Sequence, residues 1–254
     1  MVLQSLLCRS KLVVIGLDEA HLILIWGNDF RPDYKELKML REWYPAVPMA
    51  AVTASATPEI KKEILETLCL DQPVHFSMGT FRPNIFLEVR QKPSGAGQRA
   101  RLAEEMVGLM NGRTLESKPG IVYCLTRKEC EEVAKEMNSR GVKAAFYHGD
   151  MKKVDRQRAQ EEWLSGAIRV VVATVAFGLG IDNPACSFVF HYALPSTLDR
   201  LYQEVGRCGR GGQPSRALLW HSGNDVLRAK KLTCGPKKIR GGGRQARESI
   251  EVGE

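Results

Sequence analysis

The residues of this sequence best suited to chemistry are two carboxylates and two guanidinium groups that lie far apart along the chain. Asp18 and Glu19 directly follow an apolar run at residues 12–17, and Arg207 and Arg210 lie in a glycine-containing segment near the other end. One carboxylate can hold Mg²⁺ while the second orients a water molecule for attack on a phosphate. Arginines three residues apart suit a polyphosphate whose charge grows during transfer. The two pairs together predict hydrolysis of a nucleoside triphosphate.

The element that must position the carboxylates is the apolar run at residues 12–17. Its length and β-branched content predict a strand buried on both faces. Open α/β sheets bind their ligands at the carboxyl ends of strands, which is where Asp18 and Glu19 lie. The alternative is that Asp18-Glu19-Ala20-His21 is only an acidic turn leaving a strand.

An aromatic loop follows the carboxylates, with the sequence Trp-Gly-Asn-Asp-Phe-Arg-Pro at residues 26–32. Trp26, Phe30 and Arg31 combine aromatic faces with a nearby cation, which is how proteins stack unpaired bases. The loop therefore predicts contact with a single-stranded nucleic acid.

The acidic box and this loop together resemble the RecQ family of DNA helicases, in which the loop couples DNA binding to ATP hydrolysis. Ile25 and Asn28 stand where the family usually has glutamine and histidine. The resemblance implies that Asp18 holds Mg²⁺, that Glu19 orients the attacking water and that His21 belongs to the catalytic set. It also implies that the three residues of the aromatic loop sense DNA.

Residues 173–182, Ala-Thr-Val-Ala-Phe-Gly-Leu-Gly-Ile-Asp, resemble a second RecQ segment. The threonine side of that segment touches the DNA backbone in the family, and the aspartate side faces the nucleotide. The resemblance thus implies DNA contacts for Thr174 and Gly178 and nucleotide contacts for Gly180 and Asp182. The alternative is a glycine-hinged connector of the kind many α/β proteins contain.

Residues 202–210, Tyr-Gln-Glu-Val-Gly-Arg-Cys-Gly-Arg, resemble a third segment, with Cys208 in place of alanine. The resemblance makes Arg207 and Arg210 arginine fingers and places Gln203 among the nucleotide-binding residues. The alternative is that both arginines are surface residues without a partner.

Apolar runs and helical patterns alternate regularly along the second half of the chain. Repeated βα units of this length predict a parallel, twisted sheet covered by helices. We therefore expect an α/β fold with two RecA-like parallel-sheet domains, the first incomplete. The expected ranges are 1–78 for the remnant of the first domain, 79–227 for the second domain and 228–254 for a disordered basic tail. The expected strands of the second domain are residues 120–124, 142–147, 168–173, 188–192 and 216–220.

Composition restricts the remaining classes of protein. The seven cysteines include no C-x-x-C pair, which argues against a zinc site and a disulfide framework and predicts reduced, mostly buried thiols. No apolar run reaches the roughly 18 residues of a membrane span. These features predict an intracellular protein, nuclear if the source is eukaryotic. The net charge is +8, and residues 228–254 hold eight Lys or Arg and three Glu, either as a phosphate-seeking arm or as a terminus without a partner.

The sequence contains no G-x-x-x-x-G-K-[ST] loop, the motif that cradles nucleotide phosphates, and none of its 23 glycines is followed by lysine. We expect that the chain begins inside the first domain and that binding of ATP and Mg²⁺ is weakened or lost. The expected function is a RecQ-like ATP-dependent helicase with three-prime to five-prime polarity on single-stranded or overhanging DNA, inactive by itself. The alternatives are a non-catalytic DNA-binding protein and an RNA-directed relative. The sequence identifies no protein partner.

Overall fold

The computed structural model of the chain describes residues 5, 11–23, 37–54, 56–178 and 180–227. The chain divides into two compact units, Met1–Phe81 and Arg82–Glu254. No helix within the described residues is long and apolar enough to cross a lipid bilayer.

Unit 1 contains two short parallel strands and two helices in its described part. Strand β1 (Ile15–Leu17) pairs with β2 (Met49–Ala51), and helices α1 (Met39–Trp43) and α2 (Pro58–Thr67) accompany them. Thr57 caps α2 by accepting a hydrogen bond from the Ile60 amide, and Pro58 occupies the first turn, where a missing N–H costs nothing.

The prediction of a strand at residues 12–17 that is buried on both faces was wrong in its length and burial. Only three residues pair, and the side chains of Val13 and Val14 are 74% and 54% exposed. The physical reason is that β1 has a single partner strand among the described residues and only small apolar clusters beside it.

Unit 2 is built on a parallel six-stranded sheet in the order β3-β8-β7-β4-β6-β5. The bounds of its elements are β3 Ile85–Gln91, α3 Gln98–Met110, β4 Gly120–Tyr123, α4 Arg127–Ser139, β5 Ala144–Tyr147, α5 Lys153–Leu164, β6 Val170–Ala173, β7 Phe188–His191, α6 Leu198–Val205 and β8 Ser215–His221. The five strands predicted for this region are confirmed, each within two residues at either end.

Strand β3 and helix α3 were not predicted from the sequence. The helix buries Leu102, Met106 and Met110, and their four-residue spacing is a signal that would have identified it. The strand lies at an edge of the sheet, and several of its apolar side chains are exposed. Its pattern of burial is therefore not the one that a central strand has.

Helix α4 shows how local sequence determines one element. Thr126 and Glu129 form a capping box at its start, which is the structure that a threonine and a glutamate three residues apart favour. The helix buries one face, formed by Cys130, Val133, Ala134 and Met137. Gly141 follows its end with a φ of +80°, a conformation that glycine adopts without strain.

The core of unit 2 lies on both faces of the sheet, because successive strand residues point in opposite directions. One cluster includes Val122, Val172 and Trp220, and the other includes Ile121, Val171 and Phe177. The carboxyl ends of β4, β6 and β7 are adjacent, since β4 pairs with both of its neighbours in register. The segment that carries Thr174 and Gly178 begins at this edge, whereas Arg207 and Arg210 follow α6.

Candidate functional site

The acidic residues of unit 1 lie in the turn that follows β1. Asp18 is exposed, and its Oδ1 accepts a hydrogen bond from the Glu19 amide at 2.8 Å. Glu19 has a φ of +51°, which an L-residue rarely adopts outside tight turns and functional sites. The two carboxylates are therefore neighbours at the carboxyl end of a strand.

His21 is buried and ties this turn to the next strand. Its Nδ1 lies 2.8 Å from Thr53 Oγ1 and 3.4 Å from Glu19 Oε2. Thr53 lies two residues after the end of β2, so the histidine links the ends of the two strands. Ser55, two residues further along the chain, lies outside the described residues.

No group of three or more His, Cys, Asp or Glu side chains suited to a metal ion occurs within the described residues. A magnesium ion held by Asp18 would therefore take most of its ligands from water and phosphate oxygens, which is the usual way in which proteins bind Mg²⁺ with a nucleotide. Trp26, Phe30 and Arg31 lie outside the described residues, so DNA contact by the aromatic loop stays a prediction.

Thr174 begins the glycine-containing segment of unit 2 at the end of β6. Its amide donates to the Tyr147 carbonyl at 3.1 Å, and its Oγ1 accepts a weak bond from the Ala176 amide at 3.4 Å. Thr174 is buried, so its hydroxyl shapes the loop in addition to any role toward DNA.

Arg207 lies against the same segment. Its Nη1 donates to the Ile181 carbonyl at 3.5 Å, a long hydrogen bond. A Cβ atom placed on Gly178 would lie 3.3 Å from Arg207 Nη2, so glycine is what permits this close approach. The Nε of Arg207 is buried and has no hydrogen-bond partner among the described residues. A buried donor without a partner calls for a physical explanation, such as a place for an ion or a water molecule.

Arg210 is held by an ion pair. Its Nη1 lies 2.9 Å from Asp182 Oδ1, and its Nε donates to the Gly206 carbonyl at 3.2 Å. Gly180 has a φ of +75° two residues before Asp182, a turn that brings the aspartate toward the arginine loop. Gln203 lies one helical turn before Arg207 and is partly buried. The structure thus brings Gly178, Gly180, Asp182, Arg207 and Arg210 together.

The chain is similar in sequence to known helicases. Residues 99–212 match the family described as the helicase conserved C-terminal domain. The chain is 42% identical over 232 residues to the ATP-dependent DNA helicase hus2/rqh1 of Schizosaccharomyces pombe, covering 91% of this chain and 17% of that protein. It is 38% identical over 224 residues to the ATP-dependent helicase SGS1 of Saccharomyces cerevisiae, covering 88% and 15%. It is 37% identical over 223 residues to the ATP-dependent DNA helicase Q1 of Rattus norvegicus, covering 88% and 35%.

The chain is similar to RecQ-family helicases over about nine-tenths of its length. It spans between 15% and 37% of the length of the curated relatives it matches. Among solved structures, it resembles Saccharomyces cerevisiae Dbp5 bound to RNA and ADP BeF3, with a TM-score of 0.67, 21% identity and coverage of 92% of this chain and 61% of that one. It also resembles the Mycobacterium smegmatis helicase Lhr bound to ssDNA and AMP-PNP, with a TM-score of 0.66, 20% identity and coverage of 91% and 32%. These two likenesses confirm the predicted α/β fold of RecA-like type.

The loop that carries Arg207 and Arg210 is held by two residues that were not among the predicted site residues. The Gly209 carbonyl accepts hydrogen bonds from Arg82 Nη2 at 2.7 Å and from Asn84 Nδ2 at 2.8 Å. Gly209 itself has a φ of +68°, and a Cβ atom there would meet Asn84 Nδ2 at 2.6 Å. The sequence signal was the Phe-Arg-Pro-Asn segment at residues 81–84, which resembles a RecQ domain junction and which the structure joins to the arginine loop.

A buried histidine and glutamate lie beneath the same loop. His191 Nε2 at the end of β7 lies 3.0 Å from Glu204 Oε2 on α6, and both side chains are almost fully buried. Neither residue is among the site residues predicted from the sequence. A buried polar pair therefore joins α6 to the sheet, three residues before Arg207 in the sequence.

Burial keeps one tyrosine and two cysteine side chains near the arginines in their neutral, protonated forms. Burial raises the pKa of the Tyr123 hydroxyl, an effect that the nearby Arg207 guanidinium only partly opposes. Burial likewise raises the pKa of the Cys186 thiol, and it raises that of Cys208 to about 12. These groups carry no negative charge at neutral pH, so they do not neutralise the positive charge of the arginines.

Proposed function

We propose that this chain works as part of a RecQ-type, ATP-dependent DNA helicase that moves from three-prime to five-prime along a single strand. The curated relatives named above are called ATP-dependent DNA helicases or an ATP-dependent helicase. The observation that carries the proposal is the cluster of two arginines with Asp182 and two glycines, formed by the loop between β6 and β7 and the loop between α6 and β8. Two neighbouring guanidinium groups suit a polyphosphate whose charge grows during transfer.

In this proposal each group has a distinct task. Asp18 holds Mg²⁺, Glu19 orients a water molecule, and His21 holds Glu19 and Thr53 in place. Bound ATP with Mg²⁺ would supply a phosphoryl group whose charge increases during transfer. Arg207 and Arg210 stabilise that charge. The nucleotide-binding residues are Asp18, Gly180, Asp182 and Gln203.

The residues of unit 2 fit a phosphate group on the evidence of their own contacts. The guanidinium of Arg207 lies against the Gly178 backbone, where no side chain blocks approach. Arg210 is bound to a single carboxylate that is 65% exposed, so water and ions compete for this pair. Both cations are thus positioned without being permanently neutralised.

DNA contact is proposed for two groups of residues. Thr174 and Gly178 would contact the backbone of a single strand or of a duplex with a single-stranded overhang. Trp26, Phe30 and Arg31 would stack on its bases. Residues 1–78 and 79–227 would form the two helicase domains, and residues 228–254 would add a basic arm. The eukaryotic relatives make the nucleus the expected location.

We expect little ATP hydrolysis by the 254-residue chain alone, because it has no glycine-rich loop with a following lysine to hold the β- and γ-phosphates. Release of inorganic phosphate should be measured with and without single-stranded DNA, for the unmodified chain and for Glu19→Gln. The expected result is the same low rate in all four samples. DNA-stimulated turnover that Glu19→Gln abolishes would contradict inactivity while supporting the assigned role of Glu19.

A second candidate function is DNA binding without catalysis. It is favoured by residues 228–254, where eight Lys or Arg against three Glu suit electrostatic binding to phosphates. This candidate predicts affinity for DNA that falls steeply with salt and does not change when ATP and Mg²⁺ are added. Fluorescence anisotropy with matched DNA and RNA strands would measure both properties and would identify an RNA-directed relative by its preference for RNA. Loss of binding on deletion of residues 228–254 would assign the affinity to the basic arm.

A further inference from the structure

Tyr123 is a buried hydroxyl at the carboxyl end of β4 to which the proposed function gives no task. Its side chain is almost fully buried, and its hydroxyl donates a hydrogen bond to the Phe177 carbonyl at 2.8 Å. Its ring stacks on that of His191, with 5.6 Å between the ring centroids. Strand β4 lies between β6 and β7, so Tyr123 extends from one of the two central strands of the sheet.

The Phe177 carbonyl, which accepts the hydrogen bond from Tyr123, lies at the start of the backbone segment that contacts Arg207. Phe177 is fully buried, and its ring packs edge-on against those of Tyr147 and Trp163. The next residue, Gly178, gives Arg207 Nη2 its close approach, and the Ile181 carbonyl accepts from Nη1. A shift of the Phe177 carbonyl would therefore move the backbone on which the guanidinium lies.

The protonation state of Tyr123 makes this hydrogen bond constant. Burial raises the pKa of its hydroxyl, so the proton is retained at neutral and mildly alkaline pH. A buried hydroxyl that always carries its proton is always a donor to the Phe177 carbonyl. The bond does not depend on a titration near neutral pH.

We infer that Tyr123 is a positioning residue for Arg207. Its hydroxyl lies beside the guanidinium and fixes the Phe177 carbonyl, and through Gly178 and Ile181 it holds the guanidinium in place. The inference rests on the proposed function only for the task of Arg207 toward a nucleotide. The placement of the guanidinium rests on the contacts within unit 2.

The test compares two variants that each lose one oxygen atom. Tyr123→Phe removes the hydroxyl that binds the Phe177 carbonyl. Tyr147→Phe is the matched control, because Tyr147 ends the strand β5 and touches the same Phe177 ring, but its hydroxyl makes no hydrogen bond within the described residues. The readout is the rate at which the Arg207 Nε hydrogen exchanges with water, measured by NMR on the ¹⁵N-labelled chain. Arg207→Lys assigns the signal by its disappearance.

We expect slow exchange in the unmodified chain, because Arg207 Nε is buried. Loss of one hydrogen bond that restrains the loop should speed exchange by up to about tenfold in Tyr123→Phe. Tyr147→Phe should stay within about twofold of the unmodified chain. Unchanged amide protection at Val122 and Val172 would show that the sheet is intact. Equal rates in the Tyr123 variant and the unmodified chain would overturn the inference, as would equal acceleration by both variants.

A second variant keeps the inference testable if Tyr123→Phe does not fold. Gly178→Ala leaves Tyr123 intact but places a Cβ 3.3 Å from Arg207 Nη2 and from the Val175 carbonyl. It should speed the same exchange, and an unchanged rate would count against the positioning role. Inorganic pyrophosphate then tests the proposed function separately. If it leaves the Arg207 signal unmoved, the nucleotide role of Arg207 fails while the result for Tyr123 stands.

Discussion

Two histidines of unit 2 each lie at a strand end beside a glutamate, yet their surroundings differ. Glu204, the partner of His191, is 9% exposed, whereas Glu131, the partner of His148, is 53% exposed. Each histidine also has a buried Nδ1 with no hydrogen-bond partner within the described residues. The energetic weight of the glutamate therefore depends on whether water can replace it.

Glu204→Ala should lower the free energy of unfolding by about 1–3 kcal/mol, because it leaves both ring nitrogens of His191 buried and unpaired. Glu131→Ala is the control and should change it by no more than about 0.5 kcal/mol, since water can reach His148 once the exposed carboxylate is removed. Urea denaturation of both variants measures the difference. Equal losses in the two variants would show that burial of the glutamate is not what matters.

The thiol of Cys208 should make the free energy of unfolding depend on pH under alkaline conditions. Its pKa is raised to about 12 in the folded chain, whereas an unfolded cysteine titrates near about 8.5. Between these values the unfolded chain releases a proton that the folded chain keeps, so the stability is fully present below the lower value and falls as pH rises.

When the pH is raised from about 7.5 to about 9.5, the free energy of unfolding of Cys208→Ala should therefore fall by roughly 1 kcal/mol less than that of the unmodified chain. Urea denaturation in the presence of a reductant at both pH values measures this double difference. Cys69→Ala is the control, because Cys69 is exposed and should leave the pH dependence unchanged. A pH dependence that is the same with and without Cys208 would contradict the argument.

At the scale of elements, the packing of β4 against β7 requires a glycine at the start of β4. Gly120 pairs with Phe188, and a Cβ on Gly120 would lie 2.3 to 2.4 Å from three atoms of the Phe188 ring. The ring is fully buried and packs against Phe190, so it has little room to move. The two strands can adopt this register because residue 120 has no side chain.

Gly120→Ala should cost about 2–3 kcal/mol of unfolding free energy through overpacking of the sheet interior. Gly149→Ala is the matched control, since a Cβ at residue 149 meets no atom within 4 Å. Thermal and urea unfolding of both variants would measure the effect. A loss below that of the control would mean that the Phe188 ring is free to rotate away.

At the scale of the whole molecule, the two units have cores of very different size. The described part of unit 1 has buried apolar clusters of four and three residues, whereas unit 2 has clusters of twenty and twelve. Buried apolar area supplies most of the free energy of folding, so unit 2 holds most of the stability. Unit 2 is further joined at its edge by the buried Lys92–Asp225 ion pair.

We predict that unit 1 opens first and that the two units do not unfold together. In hydrogen exchange followed by mass spectrometry, peptides from residues 11–23 and 49–68 should exchange at lower urea concentrations than peptides covering β4, β6 and β7. Leu102→Ala, in the core of unit 2, should lower the midpoint of the second transition only. A single transition shared by all peptides would contradict separate unfolding.

The sequence by itself determined the elements whose causes are local. The alternation of apolar runs with helical patterns predicted five strands of the large sheet, and Thr126, Glu129 and Gly141 marked the start and end of α4. The acidic motif after an apolar run also placed Asp18 at the end of a strand, and the glycines beside Arg207 placed that arginine in a loop. These features depend on residues a few positions apart, so periodicity and capping are sufficient to predict them.

Only the tertiary structure decided which distant residues meet. Asp182 pairs with Arg210 and Tyr123 holds Phe177 because β4, β6 and β7 are adjacent in a sheet order that differs from the order along the chain. The exposure of Val13 and Val14 likewise depends on how many strands lie beside β1, which the run of apolar residues does not encode. The physical reason is that sheet order and burial arise from packing between elements, whereas a local sequence pattern reports only the conformation of its own segment.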